Sequence, residues 1–419
     1  MQKYINKITR NVLLMYFNAL CVHLKNIYVY ICNIVRQECR NLKGEVFINR
    51  VITKDNVAMK KNIYSEKYYF MRYLLLMFSF VLVCSCSNDG NDAYVCGEIK
   101  PVKEFGTVAK LDKSVPLNIE LTGVNAVFNI DSIMIGETSD KEYLWNVYSI
   151  NDGRQLGRLL RKGHGNNEFY DAPTSATPLV TDSALYCDIL DSYTSTWRRV
   201  DIGRSIKERT VAIADKRNFS TKDHFSNVFN IGSGCFLMVQ NKDYRSFVRY
   251  INNNGKDKLL DNVGNINDLE VDEDINIISA VRCFSVQRGM AAEALIRLDQ
   301  INVYSLKHGG KSFTISLNDN LQSVSRQESM PRKLLKKCFC DIKAYDDYFA
   351  ALYSGASVAS YFTGKADRSF VMIFSWDGDA LMNIEVPVSA SSFFIYKDFL
   401  YVFSNTDKEC LYKYKMPKL

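Results

Sequence analysis

His164 and Glu168 are the pair in this 419-residue chain best suited to move a proton, in the segment Gly163-His164-Gly165-Asn166-Asn167-Glu168-Phe169. An imidazole titrates near neutrality, and a nearby carboxylate could relay its proton. The same residue types also suit a connector. There Glu168 accepts amide hydrogens from its own loop, Phe169 packs inward, and His164 has few neighbours. We expect the connector, and we expect no catalytic residue here. A dinucleotide reading of these glycines fails, because the third glycine is missing and no helical pattern follows.

Other reactive residue types are spread thinly. Gly309-Gly310-Lys311-Ser312 ends like a phosphate loop, but Ser305 stands where the first glycine is needed, so a hairpin turn is expected. Asp268, Glu270, Asp272, Glu273 and Asp274 form the densest acidic run, without calcium-loop spacing, and should be a solvated loop. Cys338-x-Cys340 on a strand would share one face as small apolar side chains. No G-x-S-x-G or H-E-x-x-H occurs. No cofactor and no metal site is expected.

Charge separates the chain into two parts. Residues 1 to 85 hold 13 basic and 4 acidic residues, leaving 53 − 13 = 40 basic and 46 − 4 = 42 acidic residues beyond. The basic excess belongs to the first segment, so a nucleic-acid partner is excluded for the rest. Within that segment Arg72 precedes an apolar run from Tyr73 to Val83, followed by Cys84-Ser85-Cys86 and the polar Ser87-Asn88-Asp89. This run is shorter than the roughly 20 residues of a spanning helix and has the length of a secretory core. Val83-Cys84-Ser85-Cys86 resembles the lipobox of bacterial lipoproteins, although Cys84 is an unusual middle residue. The resemblance implies cleavage after Ser85 and a lipid on Cys86. Residues 1–58 then read as an over-extended start, 59–85 as a signal peptide and 86–104 as a polar tether. A membrane helix at Val12 to Val35 is the rival reading, interrupted by His23, Lys25 and Asn26.

From about residue 116 short apolar and aromatic runs alternate with Asn, Asp, Gly and Ser clusters, a pattern of strands and tight turns. Turn glycines recur at 153, 203, 255, 310 and 378, in steps of 50, 52, 55 and 68. A second set of turns at Asp131, Asp182, Gly234 and Gly289 precedes the first four by 22, 21, 21 and 21 residues. Two hairpins per unit make four strands, the content of a propeller blade. Residues 105–419 are therefore expected to form an all-β six-bladed β-propeller with four-stranded blades. A strand near Leu117 to Leu121 should join those at 393 to 416 and close the ring, removing open edges. Two separate sandwiches are the alternative, and they would not explain the spacing.

Three stretches carry a wider resemblance: Leu159 to Phe169, Ala351-Leu352-Tyr353-Ser354-Gly355, and the ending from Phe399-Leu400-Tyr401 to Leu411-Tyr412-Lys413-Tyr414. With them the chain resembles the TolB-like six-bladed propeller lipoproteins of Gram-negative bacteria and, distantly, NHL-type propellers. Asn166-Asn167 replace the family's Pro-Gly. The resemblance implies a lipoprotein of the cell envelope, held at the outer membrane by the lipid on Cys86. Its expected role is a binding or scaffold module for a protein or glycan partner. The alternative is an envelope lyase or hydrolase with its site at the propeller channel.

Overall fold

The computed structural model describes residues 92–418, apart from 113, 166, 172, 174, 221–223 and 405–409. The lipobox with Cys86, the signal peptide and the Val12 to Val35 segment lie outside the described residues. The described chain is an all-β six-bladed propeller.

Each short apolar run becomes a strand, and successive strands pair antiparallel within a blade. Blade I comprises Val124–Ile130, Ile133–Thr138, Tyr143–Ser149 and Gln155–Arg161. Blade II runs from Ser175–Val180 to Ala212–Asn218, and blade III from Phe225–Gly232 to Lys256–Leu259. Blades IV and V run from Ala280–Ser285 to Ser312–Ser316 and from Lys336–Ala344 to Ala380–Val386. Blade VI holds Ser392–Tyr396, Phe399–Ser404 and Cys410–Lys415.

Six apolar clusters occupy the six gaps between neighbouring blades. The cluster of Val124, Val127, Phe394 and Phe403 joins blade VI to blade I, so burial closes the ring. The expected closing strand is reduced to a short contact. Pro116 bridges Tyr412, and the Leu117 amide donates to the Leu411 carbonyl at 2.7 Å.

Most of the spaced turns fall between strands as the pattern requires. Asp131, Gly234 and Gly289 adopt positive φ between the first and second strands of their blades, and Gly153, Gly255 and Gly378 do so between the third and fourth. Gly203 is different. It lies in the helix Ile202–Glu208, where the Asp201 carboxylate caps the Arg204 amide. A helix therefore replaces the hairpin expected there, because Asp201 satisfies a free helix amide. The longest step between turn glycines, from 310 to 378, likewise holds a helix, Val358–Phe362.

The expected polar tether 86–104 is not free over its described part. Tyr94 and Cys96 are buried. Glu98–Pro101 pairs parallel with Ser312–Ser316 on blade IV, and Thr107–Lys110 does the same with Ala380–Val386 on blade V. Both blades thus gain a fifth strand. Gly97 allows the turn into the first of these strands, since a Cβ there would lie 2.2 Å from the Ser312 carbonyl oxygen.

Candidate functional site

The first strand of every blade faces the propeller axis, and together these strands enclose a cavity of about 640 Å³. Its wall is mostly hydroxyl, amide and apolar: Asn129, Thr177, Ser226, Asn227 and Ser391 contribute polar groups. Four lining residues carry charge: Glu137, Arg282, Asp341 and Lys343.

Asp341 and Lys343 lie two residues apart on the innermost strand of blade V, so strand alternation places both toward the axis. Lys343 Nζ contacts Asp341 Oδ1 at 2.9 Å. The other carboxylate oxygen, Oδ2, accepts the Phe393 amide of blade VI at 3.2 Å. Burial pushes the Asp341 carboxyl up, and the Lys343 charge opposes that rise. Glu137 reaches the cavity from the second strand of blade I. Its carboxyl is pushed up to about 7 by burial, with Lys343 lowering it and Asp341 raising it. The channel therefore holds a carboxyl that changes charge near neutrality, beside an ion pair.

Arg282 is tied away from the lumen. Its Nη1 donates to Asn227 Oδ1 at 2.9 Å, its Nε lies 3.1 Å from Glu293 Oε1, and its guanidinium sits over the Phe247 ring at 5.0 Å. Behind it is a sealed network. Arg249 and Glu293 are fully buried and form a two-pronged pair, with Nε to Oε1 at 2.9 Å and Nη2 to Oε2 at 2.5 Å. Tyr304 donates to Glu293 Oε1 at 2.8 Å, and Arg249 Nη2 donates to the Tyr94 hydroxyl at 2.8 Å. Although burial alone would raise it, the two guanidiniums and the Tyr304 hydroxyl hold the Glu293 carboxyl down to about 2.

His164 and Glu168 lie in the connector between blades I and II, and neither lines the cavity. Glu168 Oε2 accepts the Gly165 amide at 2.8 Å. A Cβ on Gly163 would lie 2.0 Å from that same oxygen, so the loop closes on the carboxylate. Phe169 is fully buried in the blade I–II cluster, under the Arg198 guanidinium at 4.4 Å. His164 is exposed, with its ring 5.1 Å from that of Tyr170.

Cys338 and Cys340 do not share a face. The register shifts on both sides of Phe339, and such bulges re-aim side chains. Cys338 enters the blade IV–V cluster, whereas Cys340 packs in the blade V–VI cluster and lines the cavity. All seven described cysteines are free. In the acidic run, Asp272 pairs with Arg245 at 3.0 Å and Asp274 caps the turn Ile275–Ile277. Among the described residues no group of three or more acidic, His or Cys side chains is placed to hold a metal ion, and no helix is long and apolar enough to cross a membrane.

Sequence reasoning missed Glu137, Asp341 and Lys343. For Asp341 and Lys343 a usable signal was present: apart from Arg282 and residues of Lys336–Ala344, the innermost strands carry no charged residue, whereas Glu137 comes from a second strand and has no such mark.

No protein-family profile and no curated protein sequence matches the chain. Solved propellers are similar to it at low identity. A DUF4221 member from Bacteroides vulgatus is 11% identical, with 72% of this chain and 96% of that one covered and a TM-score of 0.47. A protein of Bacteroides fragilis assigned as exported is 9% identical over 74% of this chain and 88% of that one, with a TM-score of 0.40. Regucalcin, a calcium-binding protein of Agrobacterium tumefaciens, is 13% identical over 73% and 94%, with a TM-score of 0.38. The class defined here is the six-bladed propeller, and it rests on the strand pairing and ring closure described above.

Proposed function

We propose that this chain is a lipid-anchored binding protein of the cell envelope, of the TolB-like lipoprotein kind, that receives part of a protein or glycan partner in its channel. The anchor in this reading is the lipid on Cys86. The observation that carries the binding role is the Glu137, Asp341 and Lys343 set on an axial wall whose other charged lining residue, Arg282, is engaged by Asn227 and Glu293. Charges are costly to place in a protein wall unless paired or put to use. The surrounding hydroxyls and amides supply the directional contacts that a polar ligand needs.

The test is affinity capture from detergent-solubilised envelopes, using the native protein beside Asp341→Asn and Lys343→Met. A specific partner lost from both variants supports the channel. The same partners on all three proteins would remove the channel from the reading.

One observation favours an enzyme instead. A carboxyl near pKa 7 matches what general acid catalysis at neutral pH requires, and Glu137 has that value. An envelope-substrate screen would then find a turnover that Glu137→Gln abolishes without unfolding the protein.

A further inference from the structure

We propose that the tip of blade V is a second membrane contact, a basic and apolar surface that lies on anionic phospholipid. It rests on the lipid-anchor reading above for its proximity to a bilayer, though not for its chemistry. The tip is built from two pieces, the 3-10 turn Arg332–Leu334 and the helix Val358–Phe362. They are joined where the Val358 amide donates to the Leu335 carbonyl at 2.8 Å. Two large apolar side chains project from it, Leu334 at 57% and Phe362 at 69% exposure.

Cations surround them. Residues 332–337 and 358–368 hold Arg332, Lys333, Lys336, Lys337, Lys365 and Arg368 against one acid, Asp367. Lys336 is paired with Asp299, and Arg368 with Asp367 and Glu385. The other four cations form no ion pair with another described residue, and Lys337 sits 5.8 Å above the Tyr361 ring. Exposed apolar tips among unpaired Lys and Arg match a headgroup boundary, with stems and rings in the acyl edge and charges on phosphate.

The chain's own path brings this tip toward a bilayer. Strands alternate in direction, so connectors between blades and turns between second and third strands share one end of the propeller. The segments 317–335 and 358–368 are both at that end. The first described residue, Asp92, is there too: its Oδ2 accepts the Ser323 hydroxyl at 2.8 Å and the Ser325 amide at 2.9 Å. Ser323 caps the helix Val324–Glu328, which leads into the 3-10 turn. Asp92 is only six positions beyond Cys86, a reach of at most about 22 Å. A lipid on Cys86 would hold this end near the surface, and the tip supplies the second signal that stable anchoring uses.

The experiment adds one tryptophan at either of two opposite ends of the protein isolated from its membranes, and the emission of the three buried native ones, Trp145, Trp197 and Trp376, is subtracted using the unsubstituted protein. The protein is reconstituted in phosphatidylcholine vesicles doped with phosphatidylglycerol, with and without brominated acyl chains. Phe362→Trp emission should be quenched by the brominated lipid. Val180→Trp should not be, since Val180 is 56% exposed at the far end of its strand. Adding Arg332→Gln and Lys333→Gln should shift the docking equilibrium about thirtyfold toward the free form, roughly fivefold per basic residue. Fatty-acid labelling of the same samples reports the anchor separately. Labelled protein with unquenched Phe362→Trp, or equal quenching at Val180→Trp, overturns the tip and leaves the anchor standing. Quenching of unlabelled protein added from solution keeps the tip and removes the anchor. Burial of Phe362→Trp in native envelopes without quenching by brominated vesicles would mean a protein covers the tip, and would also overturn the proposal.

Discussion

Two charged sites lie close together in this propeller and differ in what surrounds them. At the blade III–IV seam Arg249 and Glu293 are both fully buried, and every partner is another part of the fold. In the channel Asp341 and Lys343 keep 15% and 26% of their side-chain surface. Arg282 touches both, ion-paired with Glu293 on one side and lining the cavity on the other. The seam stabilises its carboxylate and the channel disfavours one: Glu293 is held down to about 2, and Glu137 is pushed up to about 7. Burial opposes charge in both places, so the number of cations in contact decides the outcome.

The largest effect expected is at the seam. Arg249→Met leaves a buried carboxylate with fewer partners and should cost about 3–5 kcal/mol in urea unfolding. An effect no larger than that of Lys343→Met would break the contrast between sealed and open sites. Phe169→Ala, which removes a fully buried ring from the blade I–II gap, should cost about 3–5 kcal/mol by the same measurement.

Next comes pH dependence, which should have opposite signs at the two sites. Glu293 has a folded pKa of about 2, below the ordinary 4.5. Its contribution is therefore full above 4.5 and lost as pH falls through about 2. Glu137 has a folded pKa of about 7, above the ordinary 4.5. Its folded form binds the proton more tightly, so stability falls as pH rises from 4.5 to about 7 and is flat beyond. Glu137→Gln should remove that fall and stabilise the protein at alkaline pH by about 1–3 kcal/mol. An unchanged slope in unfolding curves across that interval would show that Glu137 is not enclosed by the channel.

Smaller effects sharpen the comparison. Lys343→Met should change stability by less than about 1 kcal/mol, because its ammonium is partly solvated. Its consequence belongs to partner capture. His164→Ala should leave the melting temperature nearly unchanged, whereas Glu168→Ala, which frees the Gly165 amide, should lower it measurably.

Legibility in the sequence followed the range of the interactions. Turn positions were readable because positive φ is a property of one residue and its neighbours, as at Gly153 and Gly255. The Glu168 carboxylate was readable as a loop acceptor because its donor is only three residues away. Gly203 misled because a helix cap and a hairpin turn draw on the same residue types, here Asp201 with Gly203 two positions on. The tether misled because a polar stretch hid Tyr94, whose hydroxyl partner Arg249 lies 155 residues ahead.

The sequence by itself determined the strands, their spacing and the number of blades, since alternation and turn chemistry act within a few residues. Only the tertiary structure decided which charges meet. Glu293 and Arg249 are 44 residues apart, and Asp341 and Glu137 reach one cavity from different blades. Closing six twisted sheets around an axis sets those encounters, and no local pattern in the chain encodes the stagger between neighbouring blades.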